Sequence, residues 1–212
     1  MSLAAWCPRC RERLGNGDDG TPGPCPVHGA VPPLWRPITP SYDALTAHLR
    51  LAGEFPTYLP WPLSPGWGVS DFGVVTGRSG AVATVTCCSG SSQLDGRDDV
   101  FLVAEETGIG LGGRCAGLLG SDPGSEFGIG PPAVRLRIRS QSVSLWPVST
   151  SSAQGDLDRS VVAGEAQGRW LWVVLLPASA MLLMQDEWIL RDVSGSGPHL
   201  LELPFEGPSP VW

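Results

Sequence analysis

Apolar and polar positions alternate in short runs over most of this chain, and helical spacing holds at one place only. Between Ser41 and Gly53, Tyr42, Leu45, Leu49 and Ala52 recur every three or four residues, which predicts a helix with one apolar stripe. Ser41 suits its N-cap, Asp43 its first turn and Gly53 its stop. From Gly68 onward period-two alternation predicts strands over 69–76, 81–87, 100–105, 134–140, 143–147, 170–176, 181–184, 188–192 and 200–203, with loops over 119–133 and 149–160. Residues 170–176 are apolar at every position, so that strand belongs at the centre of a sheet covered on both faces. Val134, Leu136 and Ile138 alternate with Arg135, Arg137 and Arg139, the pattern of a strand with one wet face.

Residues 55–67 carry four prolines, which exclude helix and central strand. This segment should run extended over the main domain. Trp61 and Trp67 read as apolar anchors in preference to a stacking platform for a ligand.

The 212 residues suffice for one real core with a small appendage. Hydrophobic content of 42% and charged content of 17% describe an ordered protein, and 28 Gly and 21 Pro make it rich in loops. A formal net charge of −7 argues against a general grip on nucleic acid, since phosphate repels an acidic surface. Within 1–36 four arginines stand against three acids, a net of +1, which is no basic patch. The opening Met-Ser-Leu-Ala-Ala-Trp-Cys lacks the basic start and apolar core of a signal peptide. The longest uncharged apolar run, 170–184, is broken by Pro177 and Ser179 and falls short of the roughly twenty residues of a membrane-spanning helix. A cytoplasmic protein with reduced thiols and no membrane association is expected.

The strongest chemical signal is the spacing Cys7-Pro-Arg-Cys10, fourteen residues, Cys25-Pro-Val-His28. Two thiolates from one tight bend and a thiolate plus an imidazole from the next are the donor set of a tetrahedral Zn²⁺ site. Four protein ligands leave no open position, so the ion would be structural. Trp6, Leu14, Val31, Leu34 and Trp35 are the apolar side chains at hand to cover it, too few to hold the piece folded alone. His48 is an alternative fourth ligand, but His28 has the right spacing.

Other candidate chemistry is weaker. Gly108-Ile-Gly-Leu-Gly-Gly113 follows an apolar strand and formally matches a dinucleotide-binding turn, but the stretch from Arg114 to Leu119 is too short for the required helix. No bound cofactor besides zinc is expected. Glu105 and Glu106, with Glu165 or Asp186 and Glu187, could supply an acid and a base or oxygen ligands for Mg²⁺. Neighbours on a strand point to opposite faces, which argues against Glu105 and Glu106 sharing a cleft. Cys87, Cys88 and Cys115 lack a base, since nothing couples them to His48 or His199, and they read as buried and inert.

Several segments together are similar to an uncharacterised actinobacterial family with an N-terminal zinc ribbon. They are the two Cys/His knuckles, Pro60-Trp-Pro-Leu63 with Gly66-Trp67, Leu102-Val-Ala-Glu-Glu106 with Gly108-Ile-Gly-Leu-Gly112, Gly164-Glu165-Ala166 with Trp170-Leu-Trp172, and the Asp186-Glu187 region. The resemblance spans nearly the whole chain. It implies a soluble cytoplasmic protein and a metal site, and it carries no catalytic residue.

The expected fold class is α+β: a zinc ribbon over 1–36, a short helix and Pro/Trp-rich connector over 37–67, and a mainly antiparallel β domain over 68–212. A binding or adaptor module that docks a protein partner is favoured over an enzyme using Glu105, Glu106 and Glu165, and over nucleic-acid recognition by the ribbon.

Overall fold

The computed structural model describes residues 3–17, 20–92, 96–125, 127–150, 158–185, 188–196, 202–205, 207, 209–210 and 212. Asp186, Glu187, His199, half of the expected strand 200–203 and most of the expected loop 149–160 lie outside the described residues. Among the described residues, eleven strands form one sheet. In chain order they are β1 (Leu3–Trp6), β2 (Leu34–Pro37), β3 (Tyr58–Pro60), β4 (Gly68–Gly77), β5 (Gly80–Ser92), β6 (Gly96–Glu105), β7 (Val134–Ile138), β8 (Gln141–Pro147), β9 (Ser160–Ala166), β10 (Arg169–Leu176) and β11 (Trp188–Asp192). Their order across the sheet is β1-β2-β4-β5-β6-β10-β9-β8-β7-β11-β3. Each of these pairings is antiparallel except β11 with β7. With helices α1 (Tyr42–Ala52) and α2 (Leu111–Ala116) and a 3-10 helix at Ala178–Gln185, the protein is β-rich with few helices, compatible with α+β.

The sheet is rolled so that its far end lies over its middle. The Thr84 and Thr86 hydroxyls of β5 donate to the carbonyl oxygens of Pro56 and of Tyr58 in β3. One core therefore fills the roll, where Val100 and Leu102 of β6 and Leu171, Val173 and Leu175 of β10 meet Leu136, Leu145 and Leu190. A second core covers the other face, where Phe101 and Val103 of β6 and Trp172 and Val174 of β10 lie with Leu34, Leu111 and Cys115. β10 is buried on both faces, as its uninterrupted apolar run requires. On β7, Val134, Leu136 and Ile138 are buried while Arg135 and Arg137 face water. Arg139 falls in the following turn, at φ 55°.

Helix α1 follows its caps. The Ser41 hydroxyl accepts from the Ala44 N–H at 3.2 Å, and Gly53, at φ 56°, returns its N–H to Leu49 O at 3.0 Å. Leu45, Leu49 and Ala52 are buried against β4, but Tyr42 is half out, its hydroxyl held by the main chain of Leu203. The proline-rich connector yields one short strand, β3, at the outermost position of the sheet, where missing ladder donors matter least.

Residues 181–184, expected as a strand, lie instead in the 3-10 helix. Ala, Met and Leu, none branched at Cβ, favour helical turns, and Ala180 and Met184, four apart, both face the core. Strand β9 escapes sequence reading because Gly164 interrupts it. That glycine is required by a close approach: a Cβ there would stand 2.3 Å from Ser144 O.

Candidate metal centre

β1 and β2 pair from Leu3↔Pro37 to Trp6↔Leu34, and β2 continues the sheet through Leu34↔Val75 and Trp35↔Val74. The two knuckles grow from this hairpin. In the first, the Cys7 N–H donates to Glu12 O at 2.9 Å, Leu14 returns to Ala5, and the Arg9 N–H points at Cys7 Sγ at 3.4 Å. In the second, Cys25 and Gly29 exchange both main-chain bonds at 2.8 Å. Each bend thus aims two side chains inward.

The ligand atoms of Cys7, Cys10, Cys25 and His28 all lie within 4.8 Å of one another. Cys10 Sγ is 3.6 Å from Cys25 Sγ; His28 Nδ1 is 3.6 Å from Cys7 Sγ and 3.8 Å from Cys25 Sγ. A tetrahedron built on Zn–S of about 2.3 Å and Zn–N of about 2.05 Å has edges of about 3.8 Å between sulfurs and about 3.6 Å between sulfur and nitrogen. These three separations match the edges of such a coordination shell, and the whole set lies within 4.8 Å. Cys7 and Cys25 are buried with Leu14, Cys10 is half-buried and His28 is exposed. Burial pushes the Cys7 thiol up to about 12. Burial also opposes ionisation of Cys25, but N–H donors from His28 and Val27 outweigh it and draw that thiol down to about 6. This group can hold a metal ion.

Helix α2 and its leading loop lock the centre to the main sheet. The Arg9 guanidinium donates to Gly108 O at 2.7 Å and to Ile109 O at 3.0 Å. Arg114 of α2 donates to Cys7 O and to Trp212 O. Beneath them Trp212 lies between two cations, the Arg36 and Arg114 guanidinium carbons standing 4.4 Å and 4.5 Å from its ring centroid. Its indole N–H donates to Asp71 Oδ2 at 2.9 Å, where Arg36 also bonds. Burial raises the Asp71 carboxyl, with Arg36 and Trp212 working against that rise. Sequence spacing gave no sign of these supports, which join residues far apart in the chain.

The glycines at 108–113 have a packing explanation. A Cβ on Gly112 would stand 2.3 Å from the Trp172 indole nitrogen, and one on Gly113 would stand 2.0 Å from Gly120 O. The N–H groups that open α2 are used internally: Leu111 and Gly112 donate to the Glu105 carboxylate at 2.8 Å and 3.1 Å. Gly112→Ala should cost about 1–3 kcal/mol of stability by overpacking against Trp172. Chemical denaturation checks this, and a loss below about 0.5 kcal/mol would place the helix elsewhere.

Glu105 is fully buried, and burial lifts its carboxyl to about 7 against the pull of the two N–H donors. Its folded-state pKa lies above its unfolded value near 4.5, so the folded chain binds the proton more tightly between those values. Stability should therefore fall as pH rises from about 4.5 to about 7, by up to roughly 3 kcal/mol, and level off above. Comparing unfolding free energies of the wild type and Glu105→Gln across that range isolates the effect. Parallel pH profiles would contradict it.

Strand register sets the other two carboxylates. Glu105 and Glu165 both stand opposite Trp170, on β6 and β9, so they share a face with Trp170 between them. Glu106 follows on the opposite side and is exposed; Glu165 is exposed. Cys87, Cys88 and Cys115 are fully buried, and burial raises Cys88 and Cys115 to about 12 and Cys87 well above the usual thiol range. His48, on the buried face of α1, lies against Phe72, donor or acceptor to Thr57 Oγ1 at 3.1 Å, and burial lowers it to about 3. Trp61 and Trp67 pack against the core between α1 and β4, with the Trp67 ring lying on Gly90.

A β-rich protein with a Cys₃His group able to hold a metal is the class these features define. The chain belongs to the family of unknown function DUF6758, whose model matches residues 1–212. No curated protein and no solved structure matches it.

Proposed function

We propose that this is a cytoplasmic zinc-binding protein in which the ion is structural and the metal-organised head, residues 1–36, docks a protein partner. The observation that carries the proposal is the closure of three sulfurs and one nitrogen to within 4.8 Å. Thiolate-rich tetrahedral sets favour zinc over the hard cations. Four protein donors leave no position for water or substrate, which supports a structural role over a catalytic one. Six unpaired cysteines suit a reducing compartment. Among the described residues, no helix is long and apolar enough to cross a membrane.

The docking role is supported by two side chains with no place in any core. Val27, between Pro26 and His28 in the second knuckle, is 68% exposed, and Ile38, two residues beyond the head at its foot, is 71% exposed. Both side chains are open to contact by a partner's apolar surface. The proposal is tested by affinity capture from native cytosol with the wild type and a Val27→Asp/Ile38→Asp double variant. The variant should keep its zinc and lose the partner. Undiminished capture by a zinc-loaded variant would contradict docking through the head.

A further inference from the structure

β8 and β9 are neighbours over only part of their length. Their ladder runs from the Val148 N–H on Val161 O through Pro147↔Val162 to Trp146↔Ala163 and stops there, although β8 begins at Gln141 and β9 ends at Ala166. Past the close approach of Gly164 to Ser144 O the strands part, and a groove of about 660 Å³ opens between them. Small-molecule sites run from about 300 to about 1,000 Å³. Leu145 O accepts from the Ala133 N–H on the β7 side. Alternation along the strand then turns the main-chain groups of Ser142 and Ser144 toward the groove.

The side chains facing this split are of a consistent kind. Gln141 and Ser142 on one wall, and Glu165 and Gln167 on the other, are exposed. Phe127 and Trp146 close one end, their ring centroids 5.5 Å apart at 67°, and the Trp146 N–H is fixed on Gly130 O at 3.0 Å. Gln167, at φ 56°, is the first of the two turn residues that join β9 to β10, and the hairpin fixes its backbone beside the groove.

We propose that this groove binds a neutral polyhydroxylated ligand, one or two rings of a saccharide. None of the described lining residues is cationic and Glu165 is acidic, so the walls themselves offer phosphate or carboxylate no partner; Arg135 and Arg137 stand outside the lining, opposite Ser144 and Ser142 on β7. An apolar ligand would bury the amides, hydroxyls and strand edges without hydrogen bonds, at a cost for each. A sugar ring meets both halves of the site. Its hydroxyls take donors and acceptors from Gln141, Gln167, Glu165 and the open main chain, and its C–H face lies against the aromatic end.

The test uses the full zinc-loaded chain and three probes, maltose, cellobiose and diacetylchitobiose, followed by ¹H–¹⁵N NMR titration. At least one sugar should shift the Trp146 indole signal and the Ser142 and Ser144 amides saturably. Glu165→Ala should weaken that binding about tenfold or more, the loss of a charge-assisted hydrogen bond. Gln167→Gly should weaken it too while leaving the fold intact, because glycine accepts the turn's backbone conformation. The proposal is overturned if no sugar moves these signals, or if both variants bind as tightly as the wild type. It is equally overturned if an extended tetrapeptide shifts them and the sugars do not, since that would assign the split to strand addition.

Discussion

Stripped of its metal by a strong chelator, the chain should lose the ordered structure of residues 6–36 while the rolled sheet persists. Among the described residues, Leu14 is the one large aliphatic residue buried with Cys7 and Cys25. Such a cluster contributes about 2–3 kcal/mol of burial, against apparent zinc-binding energies of about 10–16 kcal/mol for structural sites of this donor type. Removal of a ligand should act in the same direction. Cys10→Ser leaves three donors, and hydrogen exchange should then show the amides of Cys7, Leu14, Cys25 and Gly29 exposed. Unchanged protection of those amides in metal-free protein would mean that the head is held by its packing on α2 and Trp212 alone.

The second large effect is expected at Asp71. It accepts from Arg36, from the Trp212 indole and from the Phe72 N–H, and it is fully buried. Asp71→Ala leaves the Arg36 guanidinium uncompensated between two tryptophans, Trp6 and Trp212. Breaking a buried pair from one side costs about 3–5 kcal/mol. Urea denaturation of the variant reads this directly. A loss under about 1 kcal/mol would show that water reaches Arg36 and that the ion pair behaves as a surface contact.

These two regions differ in how visible they are in sequence. The Cys₃His group is legible because each knuckle is local: the short spacing within it fixes which side chains converge, and only the joining loop is long. The same holds for α1, whose cap and stop adjoin its stripe, and for β10 and β7, whose patterns report burial on both faces or on one. The Arg36–Asp71–Trp212–Arg114 assembly is not local. Its partners come from β2, β4, α2 and Trp212, and an arginine destined for a buried pair looks like any surface arginine until the strands are paired. Glu105 is a similar case. The sequence offers it as an acid, a base or an oxygen ligand for Mg²⁺, and only the fold shows its carboxyl accepting from the first amides of α2.

The missed elements have equally particular causes. β9 carries a glycine demanded by the crossing of Ser144, and intrinsic propensity counts that glycine as a loop. β1 and β2 are four residues each and gain their stability from pairing with one another and with β4. The run 181–184 is apolar without alternation, and short apolar runs do not distinguish strand from helical turn. α2 is six residues with two glycines, formed because those glycines let it lie on Trp172 and Gly120.

The central claim is a closed zinc cage at Cys7, Cys10, Cys25 and His28. X-ray absorption at the zinc edge, on protein purified without added metal, tests it most directly. It should show one zinc per chain bound by three sulfurs at about 2.3 Å and one nitrogen at about 2.0–2.1 Å, with no water in the shell. An oxygen-rich shell, or a chain that holds no zinc, would contradict it.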